Sequence, residues 1–111
     1  MDKNTRETMN EMMENARKFL EEIDSVGKKK NSFSVKDLMK MLSKSGFEDV
    51  SKGTGSHTRY RHVVEPSIFI NLTLDGNINN KTLPGYVNSV KMALENVVDK
   101  LSNNLDQSRG R

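Results

Sequence analysis

The hydrophobic period of this chain changes twice, and those changes confine it to a mixed domain of helices and strands. From Asn4 to Val26, the apolar residues Met9, Met12, Ala16, Phe19, Ile23 and Val26 recur at steps of three and four with charges between them. That is the spacing of one face of an α-helix. Asn4 and Glu7 offer a capping box at its start. Gly27, three lysines, Asn31 and Ser32 then end the helix and form a short basic linker. A second helix opens at Ser34 with Asp37 three residues on, carries Val35, Leu38, Met39 and Leu42 on one stripe, and stops at Gly46.

Beyond Gly46 the period falls to two. Phe47 to Lys52 reads as a first strand, 57-HTRYRHV-63 as a second and 67-SIFINLTL-74 as a third, with Pro66 in the turn between the last two. Alternation puts His57, Arg59 and Arg61 on one side of the second strand and Thr58, Tyr60 and His62 on the other. In the third strand it separates Ile68, Ile70, Leu72 and Leu74 from Phe69, Asn71 and Thr73. The helical period returns at Pro84 with Val87, Val90, Leu94, Val97, Val98 and Leu101. From Ser102 the polar tail SNNLDQSRGR is expected to fray.

The expected fold is therefore α+β: helix, three antiparallel strands and helix in two layers, preceded by an additional N-terminal helix. With both flanking helices on one face of the sheet, the other face or its edge is left free. A chain of 111 residues suits one core. The expected division is a helix and basic linker over 1–31, the domain over 32–102 and a polar tail over 103–111. The N-terminal stripe is too narrow and short for a self-standing coiled coil, so it needs a surface to lie against. Candidates are its own domain, a second copy in a homodimer, or a partner protein.

Composition removes several function classes. The absence of cysteine excludes disulfides, thiolate catalysis and Cys-ligated zinc, and no run approaches the ~20 apolar residues that span a bilayer. A soluble, cytoplasmic protein with no membrane partner is expected. Charge is unevenly placed: residues 1–27 hold four basic and seven acidic side chains, residues 28–64 nine and three, residues 65–111 five and five. The basic block carries Lys36, Lys40 and Lys44 at four-residue spacing on the second helix, then Lys52, Arg59 and Arg61. Such a block suits a polyanion, although a solvated helix face and a lysine-rich linker would read alike.

Both histidines fall in 53-GTGSHTRYRHV-63. Gly53 and Gly55 permit a close backbone approach to phosphate, and equally an ordinary turn into a strand. His57, beside two arginines of its own strand face, is a candidate general base for a ribose 2′-OH attacking the adjacent phosphate. Lys52, Arg59 and Arg61 would then stabilise the phosphorane-like transition state, with Gly55 and Ser56 shaping the approach. A passive phosphate contact is the competing role for such a histidine. Zinc is not expected, because two histidines on opposite strand faces cannot converge. A Ser56–His57 nucleophile pair lacks a third, orienting group. No Walker or dinucleotide pattern is present, and no cofactor is expected. Tyr60 and His62 read as packing residues.

Three pieces in this order, 37-DLMKMLSKSGF-47, 55-GSHTRYRH-62 and 84-PGYVNSVKMAL-94, resemble the HicA family, small bacterial toxins of HicA/HicB toxin–antitoxin pairs. The resemblance spans Ser34 to about Val98. It implies a double-stranded-RNA-binding-domain-like α-β-β-β-α fold and a metal-independent mRNA interferase with His57 as its catalytic histidine. It also implies inhibition by a HicB-like antitoxin that covers the site. The chain departs from the family at Thr54, where many members have Lys, in the absence of a histidine after the third strand, and in the N-terminal helix. A different class of function on the same fold is a non-catalytic RNA-binding or protein-interaction module, with Lys36, Lys40 and Lys44 on phosphates. A further expectation is that the acidic N-terminal segment shields the basic site.

Overall fold

A computed structural model of the chain describes residues 3–25, 33–51, 57–73 and 84–109. It is a mixed α+β structure of three helices and one three-stranded antiparallel sheet: α1 (Lys3–Ser25), α2 (Val35–Lys44), β1 (Phe47–Asp49), β2 (His57–His62), β3 (Phe69–Thr73) and α3 (Pro84–Arg109). Among the described residues, no helix is long and apolar enough to cross a membrane.

Local sequence explains α2 completely. The Ser34 hydroxyl accepts from the Asp37 amide at 3.1 Å, and the Asp37 carboxylate accepts from the Ser34 amide at 2.9 Å. These reciprocal bonds satisfy donors that every helix start leaves open. The helix buries Leu38, Met41 and Leu42, while Val35 and Met39 are half-buried at the margin of the stripe. At its other end Gly46 takes φ +100°, the left-handed turn from which the chain enters β1.

The strands pair in the order β1-β2-β3, with Phe47 opposite His62, Glu48 opposite Arg61, Arg61 opposite Phe69 and Arg59 opposite Asn71. Tyr60, His62, Ile68, Ile70 and Leu72 are buried under the helices, and Arg59, Arg61, Phe69 and Asn71 are exposed on the other face. The alternation expected for both strands is therefore the one observed. The strands are shorter than expected: β1 ends at Asp49, and β3 begins at Phe69. Leu74 lies outside the described residues.

Helices α2 and α3 pack on the sheet, and α1 packs on α3 and α2. The Asp24 carboxylate meets the Lys91 ammonium at 3.0 Å, so the end of α1 lies beside the early turns of α3. From that point a 23-residue helix can stay against α3 only by running back toward the C-terminus of α3, some ~30 Å away. Met9, Met13, Ala16 and Ile23 are buried in this contact, with Met12, Phe19 and Leu20 partly so. The buried stripe is wider than expected, adding Met13 and Leu20, because α1 meets two helices rather than one.

The C-terminal segment corrects the expected frayed tail. Helix α3 continues to Arg109, and Leu105 is 5% exposed, because α1 extends the core past Leu101 and gives Leu105 apolar surface to bury. Asn4, expected as a cap, lies inside α1 because the helix already includes Lys3. Of the three surfaces that the α1 stripe could have used, the structure gives it that of its own domain.

Candidate nucleic-acid interface

The uncovered face of the sheet gathers side chains that the linear sequence keeps apart. Register places Glu48, Arg61 and Phe69 in one row across the three strands, and Arg59 beside Asn71 in the next. Arg59 donates from Nε to the Asn71 side-chain oxygen at 3.0 Å, and its guanidinium carbon lies 4.9 Å from the centre of the Phe69 ring. One hydrogen bond and one cation–π contact thus hold the guanidinium in place. Phe69 is 51% exposed on this face, with charged and amide groups around it. Glu48 marks the β1 side of this basic strip.

His57 is the first residue of β2, paired with Thr73, and shares the strand parity of positions 59 and 61. Lys52, Gly55 and Ser56, the other expected members of the site, lie outside the described residues, as do Gly53 and Thr54. The expected site is therefore described through its strand, with Arg59 and Arg61 together on the face as expected.

Lys36, Lys40 and Lys44 belong to a different surface. They are exposed along α2, the helix packed against β1 on the covered side of the sheet. Lys36 and Lys40 line a cleft of about 760 Å³ with Met39, Phe47, Glu48, Asp49 and Tyr60. Burial pushes the Tyr60 phenol above its ordinary pKa, and the Asp49 carboxylate adds to the effect. Asp49 itself is held below the usual carboxylate range by hydrogen bonds from the Ser51 hydroxyl and amide. The two basic groups thus flank the β1 edge without forming a single patch: the lysines on the helix side, the arginines on the open side.

His62 has a structural environment. It is fully buried, and its Nδ1 accepts from the amides of Val64 and Glu65, both at 3.2 Å. With Nδ1 accepting, the ring proton sits on Nε2 and is donated to the Ser45 carbonyl at 2.9 Å. Phe47 meets the ring edge-on, with centroids 5.1 Å apart. Burial lowers the pKa of His62 below the ordinary 6.5, against the opposing pull of the Ser45 carbonyl and the Glu65 carboxylate. A ring with both nitrogens engaged and no exposure cannot exchange protons with a substrate. This agrees with the packing role expected for it.

Phe69 and Asn71 are the members of this face that sequence reasoning placed but did not select. The available signal was a phenylalanine at a non-core strand position, on the parity that pairs with two arginines. Among the described residues, no three His, Asp or Glu side chains converge as a metal-ligand group. Comparisons with family models, curated proteins and solved structures find no match to this chain.

Proposed function

We propose that the chain is a HicA-like toxin: a metal-independent endoribonuclease that cleaves mRNA on the open face of its sheet, with His57 as the catalytic histidine. The arrangement α2-β1-β2-β3-α3 is read here as a double-stranded-RNA-binding-domain-like unit, with α1 as an addition. The observation that carries the reading is the arginine pair. Arg59 and Arg61 are both exposed on the uncovered face, on the strand parity of position 57, where a backbone phosphate can be held beside a general base.

In the proposed reaction, neutral His57 takes the proton of a ribose 2′-OH as the 2′-oxygen attacks the adjacent phosphorus. The 2′-O–P bond forms and the P–O5′ bond breaks; the departing 5′-oxygen takes a proton from water, leaving a 2′,3′-cyclic phosphate and a 5′-hydroxyl, and His57 returns its proton to the solvent. Arg59, Arg61 and Lys52 stabilise the charge on the phosphorane-like transition state, with Gly55 and Ser56 shaping the approach. A HicB-like antitoxin would inhibit by covering this same face. A non-catalytic RNA-binding module is the second reading, favoured by the fact that Arg59, Arg61 and Phe69 equip the face for binding without help from any catalytic group.

The test is controlled expression of the wild type and of His57→Ala at matched protein levels, followed by growth and RNA integrity, with purified protein then assayed in EDTA. Cleavage by the wild type alone, leaving cyclic-phosphate ends, supports the enzyme. Equal RNA binding without cleavage by either protein leaves the binding module. No binding and no cleavage removes both readings.

A further inference from the structure

We propose that Phe69, braced by Arg59, is a nucleobase-stacking platform, so that the open face takes single-stranded rather than duplex RNA. The inference rests on the ribonucleic-acid reading above and adds the conformation of the substrate. Phe69 is 51% exposed, a large apolar surface that the fold leaves uncovered. The Arg59 guanidinium lies over the ring at 4.9 Å and is itself held by Asn71 at 3.0 Å. That bond uses Nε. The terminal guanidinium nitrogens have no protein partner among the described residues and are available for phosphate.

An aromatic ring next to an anchored guanidinium is the combination by which proteins hold unpaired bases: the base stacks and the cation meets the backbone. A base inside an A-form duplex already has neighbours on both faces, so the ring can serve it only if the strand is open. Phe69 pairs with Arg61, four strand residues from the row of His57 and Thr73, which is roughly 13 Å along the strand. The platform would therefore hold a base flanking the cut rather than the base at the cut. The occupant is argued from charge as well: Arg59 and Arg61 border the ring, and among the described strand residues only Glu48 opposes them on this face.

The absence of tryptophan from the chain makes the test direct. Phe69→Trp in a His57→Ala background gives one fluorescent reporter on the face and prevents turnover. The variant is titrated with a single-stranded oligoribonucleotide and with the same strand annealed to its complement, with anisotropy of the labelled RNA followed in parallel. Expected are saturable quenching by the single strand, at least tenfold weaker binding of the duplex, and about tenfold or greater loss of single-strand affinity in Phe69→Ala. Full-affinity binding with unchanged tryptophan emission, together with wild-type affinity in Phe69→Ala, overturns the platform and leaves the ribonuclease reading standing. Equal affinity for duplex and single strand overturns the substrate preference. Absence of RNA binding in the otherwise wild-type chain overturns both inferences.

Discussion

The Nε2 atom of His62 lies 2.6 Å from the place that a β-carbon on Gly46 would occupy. The turn from α2 into β1 and the buried ring at the end of β2 are thus fitted to each other. The ring cannot retreat, because Ser45, Val64 and Glu65 all hold it by hydrogen bonds. Gly46→Ala combines this clash with a left-handed φ of +100°. Its expected cost is about 2–4 kcal/mol of stability, readable as a lowered urea midpoint at constant slope. A change under about 0.5 kcal/mol, within the range of ordinary surface substitutions, would mean that the turn and ring move together freely.

The same histidine makes stability depend on pH. Its pKa is lowered in the folded chain by burial, so the unfolded chain binds the proton more readily. The contribution of His62 is complete above its ordinary value of 6.5 and is lost as pH falls from there toward the lowered folded value. Protonated Nδ1 can no longer accept from Val64 and Glu65. Thermal unfolding between pH 7.5 and 5 should show a falling midpoint in the wild type. His62→Gln should start lower, by about 1–3 kcal/mol for the amides left unsatisfied, and should flatten the slope.

Ser45 offers an opposite sign. Its hydroxyl is fully buried with no hydrogen-bond partner among the described residues, beside the carbonyl that His62 uses. Removing an unpaired buried hydroxyl relieves a desolvation cost, so Ser45→Ala should be neutral or stabilising by up to about 1 kcal/mol. A clear loss of stability by calorimetry would show that the hydroxyl has a partner after all.

Salt dependence separates the two basic surfaces. If RNA lies on the open face, Arg61→Ala should reduce the slope of log affinity against log salt by about 1. The triple change Lys36→Ala, Lys40→Ala, Lys44→Ala, on the helix side, should leave that slope nearly unchanged. The reverse pattern would move the interface to the α2 ridge, as the alternative with Lys36, Lys40 and Lys44 on phosphates expects.

Helix α1 is expected to stabilise the fold. Met9 is 1% exposed and part of the core, so Met9→Ala should cost about 2–5 kcal/mol in chemical unfolding. Glu7, Glu11 and Glu14 are exposed on a helix that packs on α3 and α2. Their joint replacement by Gln should leave RNA affinity within about twofold at moderate salt, where screening over ~10 Å suppresses remote charges. A large gain would support the acidic shield.

Much of this architecture was legible because it is written in short-range terms. Period two assigns the faces of β2 and β3 before any partner is known, so the parity of Arg59 and Arg61 and the burial of Tyr60 follow from sequence. Ser34 and Asp37 cap α2 through bonds spanning three residues, and Gly46 stops it through its own backbone freedom. Other features depend on what lies across the fold. Met13 and Leu105 are buried, and Leu20 partly so, because α1 runs along α3, and no local pattern states which helix a stripe will meet. The candidate face divides in the same way. The arginines could be found by alternation, whereas Phe69 becomes a platform only through a register that brings it opposite Arg61 and under Arg59. Sequence by itself determined which side of each strand and helix is apolar, since that is a property of spacing. Tertiary structure alone decided which apolar sides were covered and which face stayed open, since burial depends on surfaces that approach from elsewhere in the chain.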